Sequence, residues 1–103
     1  MAEDAEPRVS DNPSDRRYEL RLADRLVGVI AYRPQPGAVV LIHTVVDPAF
    51  EGRGFGSRLA AGALDDIRAR GLSVVPLCPF VASYLRRHPE YADLAAHDPA
   101  LTD

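Results

Sequence analysis

The stretch Asp47-Pro48-Ala49-Phe50-Glu51-Gly52-Arg53-Gly54-Phe55-Gly56-Ser57-Arg58-Leu59 decides the fold of this chain. It follows the longest apolar run, residues 39–46, and precedes a segment of helical periodicity, so it joins a strand to a helix. The three alternating glycines allow a tight turn whose N–H groups point one way. Because the helix start adds a positive partial charge, we predict that the turn binds a phosphate-bearing cofactor.

Length and composition describe one ordinary globular domain. The chain has 103 residues, of which 47% are hydrophobic and 26% are charged, enough for a single core. A formal charge of −3 gives no general attraction to nucleic acid or to an anionic membrane, so we predict neither as a partner. All 12 basic residues are arginine, which excludes a phosphate-binding lysine of the P-loop type and a Schiff-base lysine.

Residue usage also bears on the compartment. A single cysteine, Cys78, excludes an internal disulfide and fits a reducing environment. We find no secretory leader and no apolar run near the ~20 residues that span a bilayer. The expectation is therefore a cytoplasmic protein, monomeric or a weak homodimer, without a metal site.

The pattern along the chain gives a coarse architecture. Residues 1–15 are acidic and polar and are expected to form a disordered arm, residues 16–97 the domain, and residues 98–103 a polar tail. Strands are predicted at 18–22, 26–33 and 39–46, the first two forming an antiparallel pair. Period-2 alternation places Val39, Leu41, His43 and Val45 on one side of the third strand.

The second half of the chain adds two helices and one strand. Apolar positions between 57 and 70 predict a helix that ends at Gly71. Residues 72–78 form the next strand, which pairs in parallel through a crossover. Pro79 starts another helix with Cys78 as its N-cap. The predicted fold is α/β (α+β), in β-β-β-α-β-α order, with a mixed, largely antiparallel sheet.

A dinucleotide-binding site fits this order poorly, since antiparallel strands precede the turn. The run 51–59 resembles instead the acetyl-coenzyme A pyrophosphate loop of the GNAT superfamily of N-acetyltransferases. Three further runs, His43-Thr44, Pro76-Leu77-Cys78-Pro79-Phe80 and His88-Pro89-Glu90-Tyr91, are similar to signatures of a short, single-domain GNAT-like subfamily. The resemblance covers roughly residues 17–95. Glu51 departs from the Gln/Arg of the general loop, and Val45 stands where the subfamily typically has Glu.

The resemblance implies an acetyl-coenzyme A-dependent enzyme that acetylates a primary amine on a small molecule or peptide. Backbone amides of the glycine turn would hold the pyrophosphate, arginines beside it would add charge, and strand backbone would pair with the pantetheine arm. The expected cofactor-binding residues are Val45, Val46, Gly52, Arg53, Gly54, Phe55, Gly56, Ser57 and Arg58.

Three residues are candidates for catalysis. A helix dipole at the N-cap favours the thiolate of Cys78, which permits an acyl-cysteine intermediate; the alternative is a small buried residue completing a cap. His43 is either a proton acceptor for the amine or for Cys78, or a histidine at the core edge bonded to a carbonyl. The resemblance implies that Tyr84 protonates the departing thiolate, whereas otherwise it is a core aromatic.

The absent carboxylate and the small size favour a second function, a non-catalytic module that binds coenzyme A or acyl-coenzyme A. A thiol redox sensor is a weaker interpretation, because no second cysteine is present to resolve an oxidised Cys78.

Overall fold

A computed structural model describes residues 6–95, which form one sheet with two helices on it. The strands are β1 (Pro7–Asn12), β2 (Arg17–Leu22), β3 (Arg25–Gln35), β4 (Ala38–Val46) and β5 (Ser73–Pro76), and the helices are α1 (Phe55–Ala69) and α2 (Pro79–Arg87). Short 3-10 helices cover Pro48–Phe50 and Pro89–Leu94. The strands lie in sequence order, antiparallel except for the parallel pair β4–β5. The predicted α/β class with a largely antiparallel sheet is confirmed.

Helix α1 packs on the sheet and completes the core, because its apolar residues recur on one side of the helix. Its buried residues face the sheet and share one cluster with the inner residues of α2; they are Phe55, Leu59, Ala60, Ala63, Leu64 and Ile67. The helix ends as predicted: Gly71 has φ 70°, and the N–H of Leu72 donates to the carbonyl of Ile67 at 3.1 Å. This is the glycine-closed helix end that satisfies otherwise free carbonyls. Within residues 6–95, neither helix is long and apolar enough to cross a membrane.

The expectation of a disordered arm is wrong for residues 7–12, which form the edge strand β1. The order is therefore β-β-β-β-α-β-α, one strand more than predicted. Asp11 accepts hydrogen bonds from the Tyr32 hydroxyl at 2.6 Å and from Arg70 at 2.7 Å. Val9 lies so close to Gly62 that a Cβ there would come within 2.6 Å of it. These contacts are distant in sequence, and the arm's polar composition does not reveal them. Residues 1–5 of the expected arm and the expected tail, 98–103, lie outside the described residues.

A β-bulge in β4 reverses the predicted side-chain alternation. His43 pairs with Ala31 and Leu41 with Tyr32, so Ile42 has no partner residue on β3. Such an extra residue moves the following side chains to the opposite faces. Thr44 and Val46 therefore share the α1 face with Leu41, while His43 and Val45 point away. The expectation that His43 lies in the apolar row with Leu41 is wrong, and His43 is exposed.

Beyond the bulge, β4 loses its neighbour. Pairing with β5 covers only Ala38–Leu41 against Ser73–Pro76, and the N–H of Cys78 then donates to the carbonyl of Leu41 at 2.9 Å. Pro76 ends β5, as expected for a residue without an N–H. In the described part of the chain no strand lies beside the edge of β4 from Ile42 to Val46, and this leaves an opening between β4 and α2.

Candidate functional site

A cavity of about 340 Å³ lies where the glycine turn meets β4 and the start of α2. The turn and the first residues of α1 form one wall, and the α1 face of β4 forms another. Its lining residues are Thr44, Val46, Phe50, Glu51, Gly52, Gly54, Phe55, Gly56, Ser57 and Phe80. Six of the predicted cofactor-binding residues are among them, and Val45, Arg53 and Arg58 are not.

The glycine turn presents a row of backbone donors. Gly52 and Gly54 have φ 82° and 78°, left-handed conformations that other residues rarely adopt, and Gly54 is the N-cap of α1. Among residues 6–95, no group accepts a hydrogen bond from the N–H groups of residues 52–57; the first bond of the helix runs from Arg58 N–H to Gly54 carbonyl at 3.2 Å. Six successive donors at the positive end of a helix fit the oxygens of a diphosphate.

Two arginines form the rim of the cavity, where they lie over two aromatic rings of its lining. The guanidinium of Arg53 lies 5.4 Å from the ring centre of Phe50 and 5.2 Å from that of Phe55. Arg25 lies 5.1 Å from Phe50 and contacts Asp47 at 3.4 Å. These cation–π contacts hold Arg53 beside the turn rather than inside the cavity. Its positive charge therefore acts on a bound anion from the rim.

Phe80 belongs to the site, a role that the sequence did not predict. Its ring lines the cavity and lies against the first turn of α1, where a Cβ at Gly56 would come within 3.0 Å of Phe80 Cζ. Position 56 thus requires glycine because a ring lies against it, whereas positions 52 and 54 require glycine because their backbone has positive φ. Position 80 directly follows the Cys78-Pro79 helix start, which was the available signal. Sequence reasoning also missed Thr44, Phe50 and Glu51 as lining residues.

Cys78 occupies the predicted N-cap of α2, but its thiol makes no capping hydrogen bond. The side chain is 2% exposed, and Sγ lies 3.2 Å from Thr44 Oγ1. Since Thr44 lines the cavity and Cys78 does not, the thiol lies one residue behind the cavity wall. The hydroxyl of Thr44, not the imidazole of His43, is the polar neighbour that the structure gives to Cys78.

Tyr84 lies away from the cavity. It is buried in α2, where its ring stacks on His88 with centres 3.8 Å apart, and Tyr91 lies 6.1 Å away. Burial, followed by the charges of Glu90 and Asp65, raises the pKa of Tyr84. Neither Tyr84 nor these neighbours line the cavity, so the structure does not place the phenol at the cavity wall.

The opposite face of the sheet carries a second, smaller cavity of about 270 Å³. Val45 lines it and is 53% exposed, so Val45 and Val46 lie on different faces of β4. Arg17, Leu26, Val27, Gly28, Val29 and Asp47 complete its lining. Within residues 6–95, no group of three or more His, Cys, Asp or Glu side chains is placed to hold a metal.

Comparison with solved structures identifies the architecture. A GCN5-like protein from Staphylococcus aureus superposes with a TM-score of 0.65 at 17% identity, covering 93% of this chain and 96% of that one. Ard1 from Thermoplasma volcanium gives a TM-score of 0.51 at 23% identity, with 61% of this chain and 44% of Ard1 covered. Ribosomal-protein-alanine N-acetyltransferase from Brucella melitensis biovar Abortus gives 0.52 at 25% identity, covering 80% and 62%. This chain thus spans less than two thirds of the length of the latter two.

Sequence comparison identifies the family. No functionally curated protein matches the sequence. The model of the family described as GCN5-related N-acetyl-transferase matches residues 17–94, from β2 to the end of the last 3-10 helix. That match covers most of the chain and includes the glycine turn, the bulged strand and Cys78. The chain therefore belongs to the GCN5-related N-acetyltransferases, a family of enzymes that generally use acetyl-coenzyme A.

Proposed function

We propose that this protein transfers the acetyl group of acetyl-coenzyme A to a primary amine. The observation that carries the proposal is the row of six unpaired N–H groups at residues 52–57, which opens onto a cavity reaching the free edge of β4. A nucleotide would need only the phosphate cradle. The pantetheine arm of acetyl-coenzyme A, which ends in the thioester, also needs a channel from these N–H groups to an open strand edge.

The residues present fit this ligand. The glycine-turn amides would bind the pyrophosphate, with Arg53 adding positive charge from the rim and Arg58 from the first turn of α1. Val46 and Thr44 would border the pantetheine arm, and Phe80 would shield it from water. Acetyl-coenzyme A supplies the activated thioester. The chain's own contribution is to bind it, to orient it, and to leave the edge of β4 open to an acceptor.

Direct attack is the route that the geometry favours. The amine nitrogen would form a bond to the thioester carbonyl carbon, the carbon–sulfur bond would break, and coenzyme A would leave as a thiolate that takes up a proton. The amine loses its proton to solvent or to His43, which is exposed on the face of β4 opposite α1. An N–H of β4 that lacks a strand partner can polarise the carbonyl oxygen.

The contact between Thr44 and Cys78 favours a second route. The Cys78 thiolate would attack the carbonyl carbon, releasing coenzyme A, and the amine would then displace the cysteine sulfur. The hydroxyl at 3.2 Å can donate to that thiolate. The 2% exposure of Cys78 weighs against this route, since the acyl group would have to reach behind Thr44.

The N-terminal amine of a peptide is the acceptor that we favour. One structural neighbour is a ribosomal-protein-alanine N-acetyltransferase, at 25% identity. Among residues 6–95 no helix covers the face of the sheet opposite α1, so this face offers little wall for a small-molecule pocket but has room for an extended peptide.

Calorimetry with acetyl-coenzyme A, coenzyme A, NAD and ATP tests the binding, and mass spectrometry of peptides incubated with acetyl-coenzyme A tests the transfer. We expect the two coenzyme A compounds to bind and NAD and ATP to bind far more weakly. Absence of coenzyme A binding would overturn the proposal. Tight coenzyme A binding without acetylation of any amine in a broad peptide set would favour the non-catalytic module. The absence of a carboxylate at position 45 also favours that module.

A further inference from the structure

One face of the sheet has no helix on it in the described part of the chain. Helices α1 and α2 share a single core on the other face. The uncovered surface, here called the open face, consists of the outward side chains of β1 to β4; it includes Arg8, Arg17, Glu19, Arg21, Val29, Ala31, Arg33, His43 and Val45. Val45 is the most exposed apolar residue of this surface, at 53%.

The open face is positively charged although the chain is not. Four arginines lie on it, and the carboxylates beside them are Asp15, Glu19 and Asp47, of which Asp47 is paired with Arg25 at 3.4 Å. Glu19 is 4% exposed and already accepts hydrogen bonds from Arg17 at 2.8 Å and from Arg21 at 3.1 Å. Its charge is therefore neutralised by these two arginines, and among the described residues Arg8 and Arg33 are the arginines of this face that form no salt bridge. The whole chain, in contrast, has a formal charge of −3.

Two of these arginines flank the way to the open edge of β4. Ala31 pairs with His43 on one side and with Arg17 on the other, and Arg33 lies two residues further along β3 on the same face. Among the described residues, no carboxylate lies within salt-bridge distance of Arg33. Because the cavity for the acetyl donor lies on the α1 face, an acceptor that reaches the same edge must approach over His43, Ala31 and these two arginines.

We propose that the open face binds the acceptor and selects peptides with acidic residues just after the amino terminus. The inference rests on the proposed function and adds the substrate class. Neighbouring strands are about 4.8 Å apart and an extended peptide rises about 3.3 Å per residue, so about three residues reach from the edge of β4 to Arg17 on β2. Acidic side chains at positions two to four of the peptide would then lie over Arg33 and Arg17.

Three peptides that share an N-terminal alanine and differ at positions two to four test this selection: Asp-Glu-Glu, Gln-Gln-Gln and Lys-Lys-Lys. Initial rates with saturating acetyl-coenzyme A give kcat and KM for each. We expect the lowest KM for the acidic peptide, a KM that rises with added salt, and the highest KM for the basic peptide. Arg33→Gln should raise the KM for the acidic peptide about three- to fivefold, with little change in kcat. Arg33→Glu should make the KM for the basic peptide equal to the KM for the acidic peptide.

Arg86→Gln is the matched control, since it removes the same charge from an exposed position on α2. It should leave all three KM values unchanged. Equal KM values for the three peptides, or equal effects of the two arginine substitutions, would overturn the inference while leaving the proposed function intact. An RNA oligonucleotide with the same net charge as the acidic peptide should not compete with it. Competition by this RNA would also overturn the inference, because the open face would then bind any polyanion and not select a peptide. Loss of acetyl-coenzyme A binding in the unmodified protein would instead refute the proposed function.

Discussion

Replacing Gly54 by alanine tests whether the left-handed turn holds the donor. Gly54 has φ 78°, and a Cβ built on it meets no atom within 4 Å. The substitution therefore adds no clash and changes only the backbone preference. A residue with a Cβ pays about 1–2 kcal/mol in this conformation, partly offset by about 0.4–1 kcal/mol of lost freedom in the unfolded chain.

The magnitude depends on whether the turn can relax. Helix α1 fixes the turn on one side only, so the alanine variant can leave the left-handed region in the free protein. Binding must then restore the conformation, and the strain of about 1–2 kcal/mol weakens the affinity for acetyl-coenzyme A about 5- to 30-fold. Gly54→Val should lose more, because a β-branched residue tolerates positive φ least.

Gly37→Ala provides the control. Gly37 has φ 74° and equally open space around its Cα, but it lies in the turn between β3 and β4, away from the cavity. Urea unfolding should show a loss of stability of about 1 kcal/mol or less for either variant, and calorimetry should show weaker binding for Gly54→Ala alone. If Gly54→Ala binds acetyl-coenzyme A as tightly as Gly37→Ala does, the turn does not hold the pyrophosphate and the reasoning fails.

Three further predictions concern single side chains. Cys78→Ala should retain acetyl transfer if the amine attacks directly, and should abolish transfer but not acetyl-coenzyme A binding if an acyl-cysteine forms. Detection of acetylated Cys78 by mass spectrometry distinguishes the two routes. If the acetylated cysteine is found, Thr44→Val should slow its formation, while Thr44→Ser should not. Tyr84→Phe should leave kcat and its pH profile unchanged, because the ring lies outside the cavity, and a drop in kcat of tenfold or more would restore the general-acid role. Asn12→Ala should reduce the loss of stability between pH 7 and pH 3 in urea unfolding. The Asn12 amide first, and then Arg17 and Arg21, hold the pKa of Glu19 below its ordinary value, although burial acts in the opposite direction. Glu19 therefore stabilises the fold at a pH above its ordinary pKa, and this stabilisation is lost as the pH falls through its lowered pKa. An unchanged difference between the two pH values would contradict this assignment.

Local pattern predicts the centre of this fold well. The apolar runs of β3 and β4, the glycine turn and the periodicity of α1 each specify one conformation, and Pro79 and Gly71 mark helix ends. Sequence also predicts the left-handed turn, since Gly52 and Gly54 adopt the positive φ that their type permits.

Long-range contacts explain what sequence reasoning missed. Strand β1 is polar, and it is held by the distant partners of Asp11 and by the fit of Val9 against Gly62. The exposure of His43 follows from the bulge at Ile42, which no residue type in β4 announces. Phe80 joins the cavity because α2 crosses the start of α1, a tertiary event that neither helix pattern contains.

The bulge at Ile42 means that the chemistry of each face depends on residue count as well as on residue type. Its single extra residue places the Thr44 hydroxyl on the α1 face and the His43 imidazole on the open face. Deleting Ile42 would remove the bulge but keep the pairs Leu41–Tyr32 and His43–Ala31, so both groups would stay on their present faces. A regular ladder in which Ile42 pairs with Ala31 would instead exchange them and bring the imidazole beside the thiol at the start of α2. The one unpaired residue is therefore what keeps His43 and Cys78 on opposite sides of the sheet.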